Sequence, residues 1–351
     1  MRISVLLSTV LLAATSAFAH DFTAVVDGQT LCFDIVNKKA RTAKVTYRGS
    51  IADATAVDVK GLVRIPAQVK HGNATYTVAA IGPKAFANAT ALTGIVMPQG
   101  IEAIGDFAFE GCTRLEQVVF PGNRVKMGQG VFFRCTALRD ISLGSDWTTV
   151  DLAMFRWSDS LQTISLPAKL EQVKNLKKLK ALTQVNVDPN NTRFAGIDGS
   201  LYNHDGSVLY GVPRSKAGRL QVKEGTKHIT AGALADCTAL TSIDLPTSLE
   251  DLPMRELAAL DGLQTLVFRA ESPLTTGYRA GKGMLVLQVA NPEVLLVVPA
   301  KSKKAYQEAL ATEPGDYTPD TQSGSLVFTL SAAQLPATKR IKGVKSFTQY
   351  E

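Results

Sequence analysis

The stretch Ile104-Gly105-Asp106-Phe107-Ala108-Phe109-Glu110-Gly111-Cys112-Thr113-Arg114-Leu115-Glu116-Gln117-Val118-Val119-Phe120-Pro121 decides the fold. Its end, Val118-Val119-Phe120-Pro121, alternates inward and outward as a short strand does. Pro121 stops the ladder because it has no backbone donor. Its start, Ile-Gly followed by Phe-Ala-Phe, suits a helical or 3₁₀ turn on the opposite side. The same features recur. Ile81-Gly82, Ile104-Gly105 and Met127-Gly128 lie 23 residues apart, and Val150 and Val173 continue the step. Phe86, Phe109, Phe132 and Phe155 keep that period, as do Leu92, Leu115, Leu138 and Leu161.

One such unit cannot bury its own apolar face, whereas stacked units can. Strand middles fall at Ile95, Val118, Ile141, Ile164, Val185, Leu220, Ile243 and Leu266, in steps of 23, 23, 23, 21, 35, 23 and 23. With strands stacked about 4.8 Å apart, eight coils predict a ladder roughly 35 to 40 Å long. The long step is one repeat plus an insertion, which falls at about 188–216. There Gly199-Ser-Leu-Tyr202 and Val208-Leu-Tyr210 flank Asn203-His204-Asp205-Gly206, a hairpin signal with Asp-Gly at the turn. This hairpin is expected to project from the solenoid or to cover one side of it. The fold class is therefore an α/β repeat solenoid over 79–270. Residues 20–78 form a β-rich N-terminal cap, and 271–351 a C-terminal cap and tail, because solenoid ends must be covered. The tail includes a last strand at Val294–Val298, a short helix from Ser302 to Leu310 and a strand candidate at Leu326–Leu330.

The chain has 351 residues, of which 45% are hydrophobic and 20% charged, a globular composition. Met1-Arg2, the apolar run Ile3–Ala14 and the small-x-small site Ala17-Phe18-Ala19 read as a secretory signal peptide cleaved after Ala19, over 1–19. The expected location is secreted, cell-surface or periplasmic. No transmembrane segment is expected, because the leader's apolar run is too short to span and no later one is long enough. The formal charge is +7, and losing Arg2 with the leader leaves +6. Small Lys and Arg groups, such as Lys174, Lys177, Lys178 and Lys180, are not interleaved with aromatics, so a nucleic-acid partner is not expected. They read as a solvated surface or as mild attraction to acidic glycans.

Cys112, Cys135 and Cys237 each stand three residues before a repeat Leu, where Ala89, Ser158 and Leu179 stand in other copies. The position wants a small or apolar buried residue, and a thiol suits it. A disulfide between Cys112 and Cys135 is the alternative, although parallel Cβ atoms about 4.8 Å apart exceed what that bond prefers. The four histidines, His20, His71, His204 and His228, share no metal-ligand spacing. Asp188, Asn190 and Asn191 do not fit a calcium loop, so neither metal nor cofactor is expected. Nucleophile elbows, His-Glu-x-x-His, P-loops and dinucleotide loops are absent from the sequence.

The residues flanking each strand middle point outward. One column reads Gly94, Gln117, Asp140, Thr163, Gln184, Ser242 and Thr265, and the other Val96, Val119, Ser142, Ser165, Asn186, Asp244 and Val267. Of these, Gln117, Asp140, Ser142, Thr163, Ser165, Gln184, Asn186, Ser242, Asp244 and Thr265 are the candidate binding face. Small polar side chains of this kind hydrogen-bond a glycan or an extended chain, and a solvated sheet face is the competing reading. Tyr202 and Tyr210 are candidate anchors on the insertion.

The repeat resembles the BspA-like leucine-rich repeats of bacterial surface proteins, common in Bacteroidetes. The resemblance rests on Ile-Gly-x-x-Ala-Phe at Ile81–Phe86, Phe-Glu-Gly-Cys-Thr-x-Leu at Phe109–Leu115 and Leu-Thr-Ser-Ile-Asp-Leu-Pro at Leu240–Pro246. The segment Val297-Val-Pro-Ala-Lys-Ser-Lys-Lys-Ala-Tyr306 is similar to that family's closing segment. The resemblance spans about residues 57 to 310. The Val173–Val187 repeat departs from it, being short, Lys-rich and without the Phe and Cys. The resemblance implies a leucine-rich-repeat solenoid of 23-residue coils and attachment to host proteins or other cells; with the catalytic motifs missing, a non-enzymatic, monomeric adhesion module for host proteins, cell surfaces or glycans is expected. Two other functions stay open: a glycan-capturing accessory protein of a polysaccharide-utilisation system, and a hydrolase with a site formed across the hairpin and a cap.

Overall fold

The computed structural model describes residues 20–47, 58–122, 124–252, 254–257 and 259–272, residue 302, and the strands Leu287–Val289, Val294–Pro299, Leu326–Phe328 and Val344–Tyr350. The leader expected over 1–19 and the helix expected at 302–310, apart from its first residue, lie outside the described residues.

In the first block the coils place one strand on a first wall and another on a second wall, and from Phe86 to Phe155 they close through a corner that carries the repeat Phe. On the first wall Gly61–Arg64, Leu92–Val96, Gln117–Val119, Asp140–Ser142, Thr163–Leu166 and Gln184–Val187 follow one another as neighbours. All pairings are parallel, with Ile95 opposite Val118, Ile141 opposite Ile164 and Ile164 opposite Val185. The strand middles therefore form one buried column, as their spacing requires. On the second wall Ala74–Ile81, Ala103–Ile104 and Lys126–Met127 pair in parallel. Ahead of them Phe22–Val26, Gln29–Asn37 and Thr42–Thr46 form an antiparallel meander that joins the wall through Thr42–Thr46. Its first turn is Asp27-Gly28, with φ of 48° and 77°, the left-handed pair that a two-residue hairpin requires.

The corners are not helical. Among the described residues the coils carry two 3₁₀ segments, Leu152–Phe155 and Leu176–Lys178, and one four-residue α-helix, Met254–Leu257. The solenoid is thus nearly all strand and turn instead of α/β. Hydrogen-bond accounting gives the reason. Corner N–H groups donate to the next coil: Phe86 to Ala108 O at 2.8 Å, Phe109 to Val131 O at 2.9 Å and Phe132 to Met154 O at 3.0 Å. An α-helix would need those donors for its own carbonyls.

Stacked corners bring backbones very close at the Ile-Gly step. A Cβ on Gly105 would lie 2.4 Å from Pro83 N, and one on Gly128 would lie 2.5 Å from Asp106 N. Glycine is therefore needed here for close approach, not for φ. Inside the corner, Phe86, Phe109, Phe132 and Phe155 stack as parallel rings with centroids 5.2, 5.2 and 5.4 Å apart. This offset geometry adds about 0.5–1.5 kcal/mol per pair beyond area burial. Leu92, Leu115, Leu138 and Leu161 are fully buried beside them.

A polar column runs alongside the rings. The Cys112 thiol donates to Phe86 O at 3.1 Å, Cys135 to Phe109 O at 3.2 Å and the Ser158 hydroxyl to Phe132 O at 2.8 Å. Each donor satisfies the carbonyl of the Phe one coil back. No bond joins Cys112 to Cys135, because each sulfur faces a carbonyl and not its neighbour's sulfur. Burial pushes the Cys112 thiol up to about 12 and also raises Cys135.

Among the described residues the interior is two cores, not one continuous spine. One cluster runs from Phe22 to Leu201 and the other from Tyr202 to Phe268. The division falls within the hairpin strand Ser200–Asn203, whose successive residues Leu201 and Tyr202 face opposite ways. The hairpin does not project. Phe194–Ile197, Ser200–Asn203 and Val208–Gly211 form a meander whose last strand pairs in parallel with His228–Ile229. Val185 N donates to Gly199 O at 2.9 Å, and a Cβ on Gly196 would lie 2.7 Å from Val185 O. The meander thus lies against the last strand of the first sheet. A new first-wall sheet then starts with Gly218–Gln221, Leu240–Leu245 and Thr265–Phe268 and continues through Val294–Pro299 to Val344–Tyr350. The spacing did not predict that final strand.

Phe109→Ala, which opens a hole between two stacked rings, is expected to cost about 3–5 kcal/mol. Urea unfolding measures it, and a loss under about 1 kcal/mol would contradict a tight stack. Cys112 and Cys135 are expected to resist alkylation at pH 8 until the chain unfolds. Mass-spectrometric mapping checks this, and rapid native labelling would contradict their burial beneath the Phe carbonyls.

Candidate binding site

The outward columns of the first block exist as spaced. Asp140, Thr163 and Gln184 lie side by side, as do Ser142, Ser165 and Asn186, while Gln117 sits beside Gly94 and Val119 beside Ser142. Gln117, Asp140, Ser142 and Gln184 are exposed; Thr163, Ser165 and Asn186 are half-buried. Gln184 Nε2 donates to Asn186 Oδ1 at 2.7 Å, joining the two columns within one strand. This face is a grid of short donors and acceptors, with the apolar Val119 exposed within it.

The columns do not continue into the second block. Among the described residues no strand pairing joins Gln184–Val187 to Gly218–Gln221, because the insertion intervenes. Ser242 and Thr265 pair on the new sheet, but Asp244 is buried and not an open contact. Arg269 grips it with Nε to Oδ1 at 2.6 Å and NH2 to Oδ2 at 2.6 Å, and Arg219 NH2 bonds Oδ2. Burial alone would raise the Asp244 carboxyl. The two guanidiniums outweigh it and hold the group below the ordinary aspartate value. Arg219 stands directly before the strand middle Leu220, so the repeat period could have placed it on this face; nothing in the period points to Arg269.

Of the two insertion anchors, Tyr202 is also buried. It belongs to the second core, its hydroxyl accepts from Lys223 N at 3.4 Å, and burial raises its phenol above the ordinary value. Alternation within Ser200–Asn203 turns it inward. Tyr210 remains exposed, with Phe194 edge-on at 5.8 Å. Tyr210 and Phe194 line a cleft of about 490 Å³ between Lys174–Lys177 and Ala231–Ala235.

The second wall holds a larger groove, of about 870 Å³, that the outward columns gave no sign of. Thr149–Asp151 pairs with Gln172–Lys174, while Lys126–Met127 pairs with Ala103–Ile104. Among the described residues no pairing joins the two sets. At this break Trp147 holds the place Leu170 holds one coil later, with its indole against Phe120 at 5.0 Å. Phe107, Phe133, Arg124, Lys126 and Arg156 line the opening.

The polar turn at Asp188–Asn191 serves the backbone. Asn191 is buried, donates to Pro167 O at 2.8 Å and Leu170 O at 3.0 Å, and accepts from Arg193 N and Phe194 N at 2.8 Å each. His228 lies 3.2 Å from Asp251 and 3.9 Å from Glu250, outside both grooves. Among the described residues no cluster of three or more His, Cys, Asp and Glu could hold a metal ion. No helix there is long and apolar enough to cross a membrane.

This chain is similar in structure to a leucine-rich cell surface protein from Faecalibacterium prausnitzii A2-165, with 18% identity, 80% of this chain and 89% of that one covered, and a TM-score of 0.42. The pneumococcal vaccine antigen PcpA matches at 17% identity, 81% and 95% coverage and a TM-score of 0.43. A leucine-rich repeat protein from Eubacterium ventriosum matches at 19% identity, 71% and 72% coverage and a TM-score of 0.48. No curated protein sequence matches the chain. The family model for the BspA type leucine-rich repeat region matches six copies, over residues 71–196 and 214–275. With that match covering more than half of its length, the chain belongs to the BspA-type leucine-rich-repeat family.

Proposed function

We propose that this protein is a non-enzymatic, monomeric extracellular binding module, exported by the leader at 1–19, that holds a protein or glycan partner against the first-wall face of its first block. The observation that carries this reading is the grid of Gln117, Asp140, Ser142, Thr163, Ser165, Gln184 and Asn186 on one unbroken parallel sheet. Strands about 4.8 Å apart repeat donors and acceptors at a pitch that an extended chain can follow. The Ser, Thr, Asp and Asn side chains among them lose less rotamer freedom than long ones when a partner docks. Asp244, Arg219 and Arg269 satisfy one another in the second block, which supports placing the contact in the first.

Retention of the purified chain by immobilised extracellular-matrix proteins and glycans tests this reading, with at least one ligand expected to be held. Ser142→Arg combined with Ser165→Arg fills adjacent positions of one column. The pair is expected to weaken that binding at least tenfold while leaving the unfolding midpoint unchanged. Silence across the panel, or unaltered binding by the double variant, would count against the assigned face.

A further inference from the structure

We infer that the corner of the first block, away from the strand face, is a second binding site, and that its ligand is an acidic polysaccharide built of uronate or sulfated sugars. The inference starts from how the cations on that side are partnered. The Arg134 guanidinium lies 5.3 Å from the Phe133 ring centroid, and the Lys180 ammonium and Arg156 guanidinium lie 4.4 and 5.7 Å from that of Trp157. Among the described residues none of these three cations has a salt bridge. By contrast, Lys216 pairs with Asp198 within the insertion at 2.7 Å, and Arg269 with Asp244 in the second block at 2.6 Å. Two acids that line the adjoining groove are turned to other work. Asp106 accepts from Gln129 N at 2.7 Å, and Asp151 from Ala153 N at 2.9 Å and Asn175 Nδ2 at 2.8 Å. Cations resting on rings keep their charge available to an arriving anion.

Trp157 is the sharper sign. It is 42% exposed, so the core does not require it. Its φ is 66°, a left-handed conformation that Gly111 supplies at the matching corner with φ 70°, so the backbone does not favour it either. A large ring kept where neither packing nor backbone asks for one fits a ring that stacks on a ligand. The neighbouring groove, lined by Phe107, Phe133 and Arg156, gives a polymer room to continue along the solenoid.

Sugars fit better than peptide. An extended peptide gains affinity by pairing with a strand edge. The corner offers none, since Phe107 N already donates to Gln129 O at 2.9 Å and Arg134 N to Arg156 O at 3.2 Å. What remains are ring faces, which suit the C–H faces of sugars, and cations, which suit carboxylate or sulfate. An acidic peptide laid along the Lys126–Met127 edge is the competing occupant. It would not cover Trp157, which lies outside the groove lining.

The test titrates the full chain with polygalacturonate, heparin, neutral dextran and polyglutamate, reading acrylamide quenching of the exposed Trp157. Trp147, the other tryptophan, is buried. Polygalacturonate or heparin should shield Trp157, with affinity falling as salt rises, while dextran and polyglutamate bind at least tenfold more weakly. Trp157→Gly, followed by loss of retention on the immobilised polymer, and Arg156→Ala should each reduce binding at least tenfold. Trp157→Gly should keep or raise the unfolding midpoint, because glycine suits that φ. No binding to either acidic polymer, polyglutamate binding of equal strength, or full binding by a well-folded Trp157→Gly would each overturn the inference.

Discussion

Everything in this fold depends on one constraint: each side chain must pack against the residue at its own position one coil away, about 4.8 Å distant along the ladder. A position is therefore filled by a residue type compatible with itself. Parallel Phe rings meet this condition by offset stacking. The Cys112, Cys135 and Ser158 column meets it by sending each donor back to a Phe carbonyl, so no buried donor faces another. The Ile-Gly step meets it by having no side chain where two backbones nearly touch. Charges satisfy the condition poorly, since like charges side by side repel. Asp140 accordingly stands next to Thr163, not a second acid.

The same constraint explains why the chain divides where it does. A coil that changes length can no longer keep every column in register with its neighbour. The insertion adds a meander in place of a matching strand, and the two sides of one strand serve two cores through Leu201 and Tyr202. Beyond it the stack begins afresh, and its outward face need not continue the earlier columns. Arg219, Asp244 and Arg269 satisfy one another there, whereas the first block's face leaves its polar groups exposed or half-buried.

The columns were legible in sequence because burial at a fixed period leaves a fixed period of apolar residues. Ile95, Val118, Ile141 and Ile164 could be found that way, and so could the face residues beside them. Periodicity reports which way a side chain points and not what arrives from elsewhere. Asp244 has the spacing of an outward residue, yet Arg219 and Arg269 cover it. Tyr202 has the composition of a surface hairpin, yet the second core claims it. The corner looked helical because Phe-Ala-Phe after Ile-Gly is locally compatible with a helix, and only the coil-to-coil hydrogen bonds decide otherwise. The second-wall groove left no periodic trace, because it lies where the column departs from its apolar type, with Arg124 and Trp147 at the positions that Ile101 and Leu170 hold in other coils.

A stack of this kind can carry unlike surfaces without conflict. Interactions run mainly between adjacent coils, so a change at an exposed position alters its immediate neighbours and little else. The strand face presents short side chains that satisfy one another or solvent, while the corner presents long cations and rings. The two are separated by the buried Phe and Leu columns, and none of the hydrogen bonds described passes from one to the other. Selection on either surface is then limited only by the inward residue of the same coil. Such a division lets the interior repeat strictly while Trp157, Arg156 and the polar grid depart from the repeat on the outside.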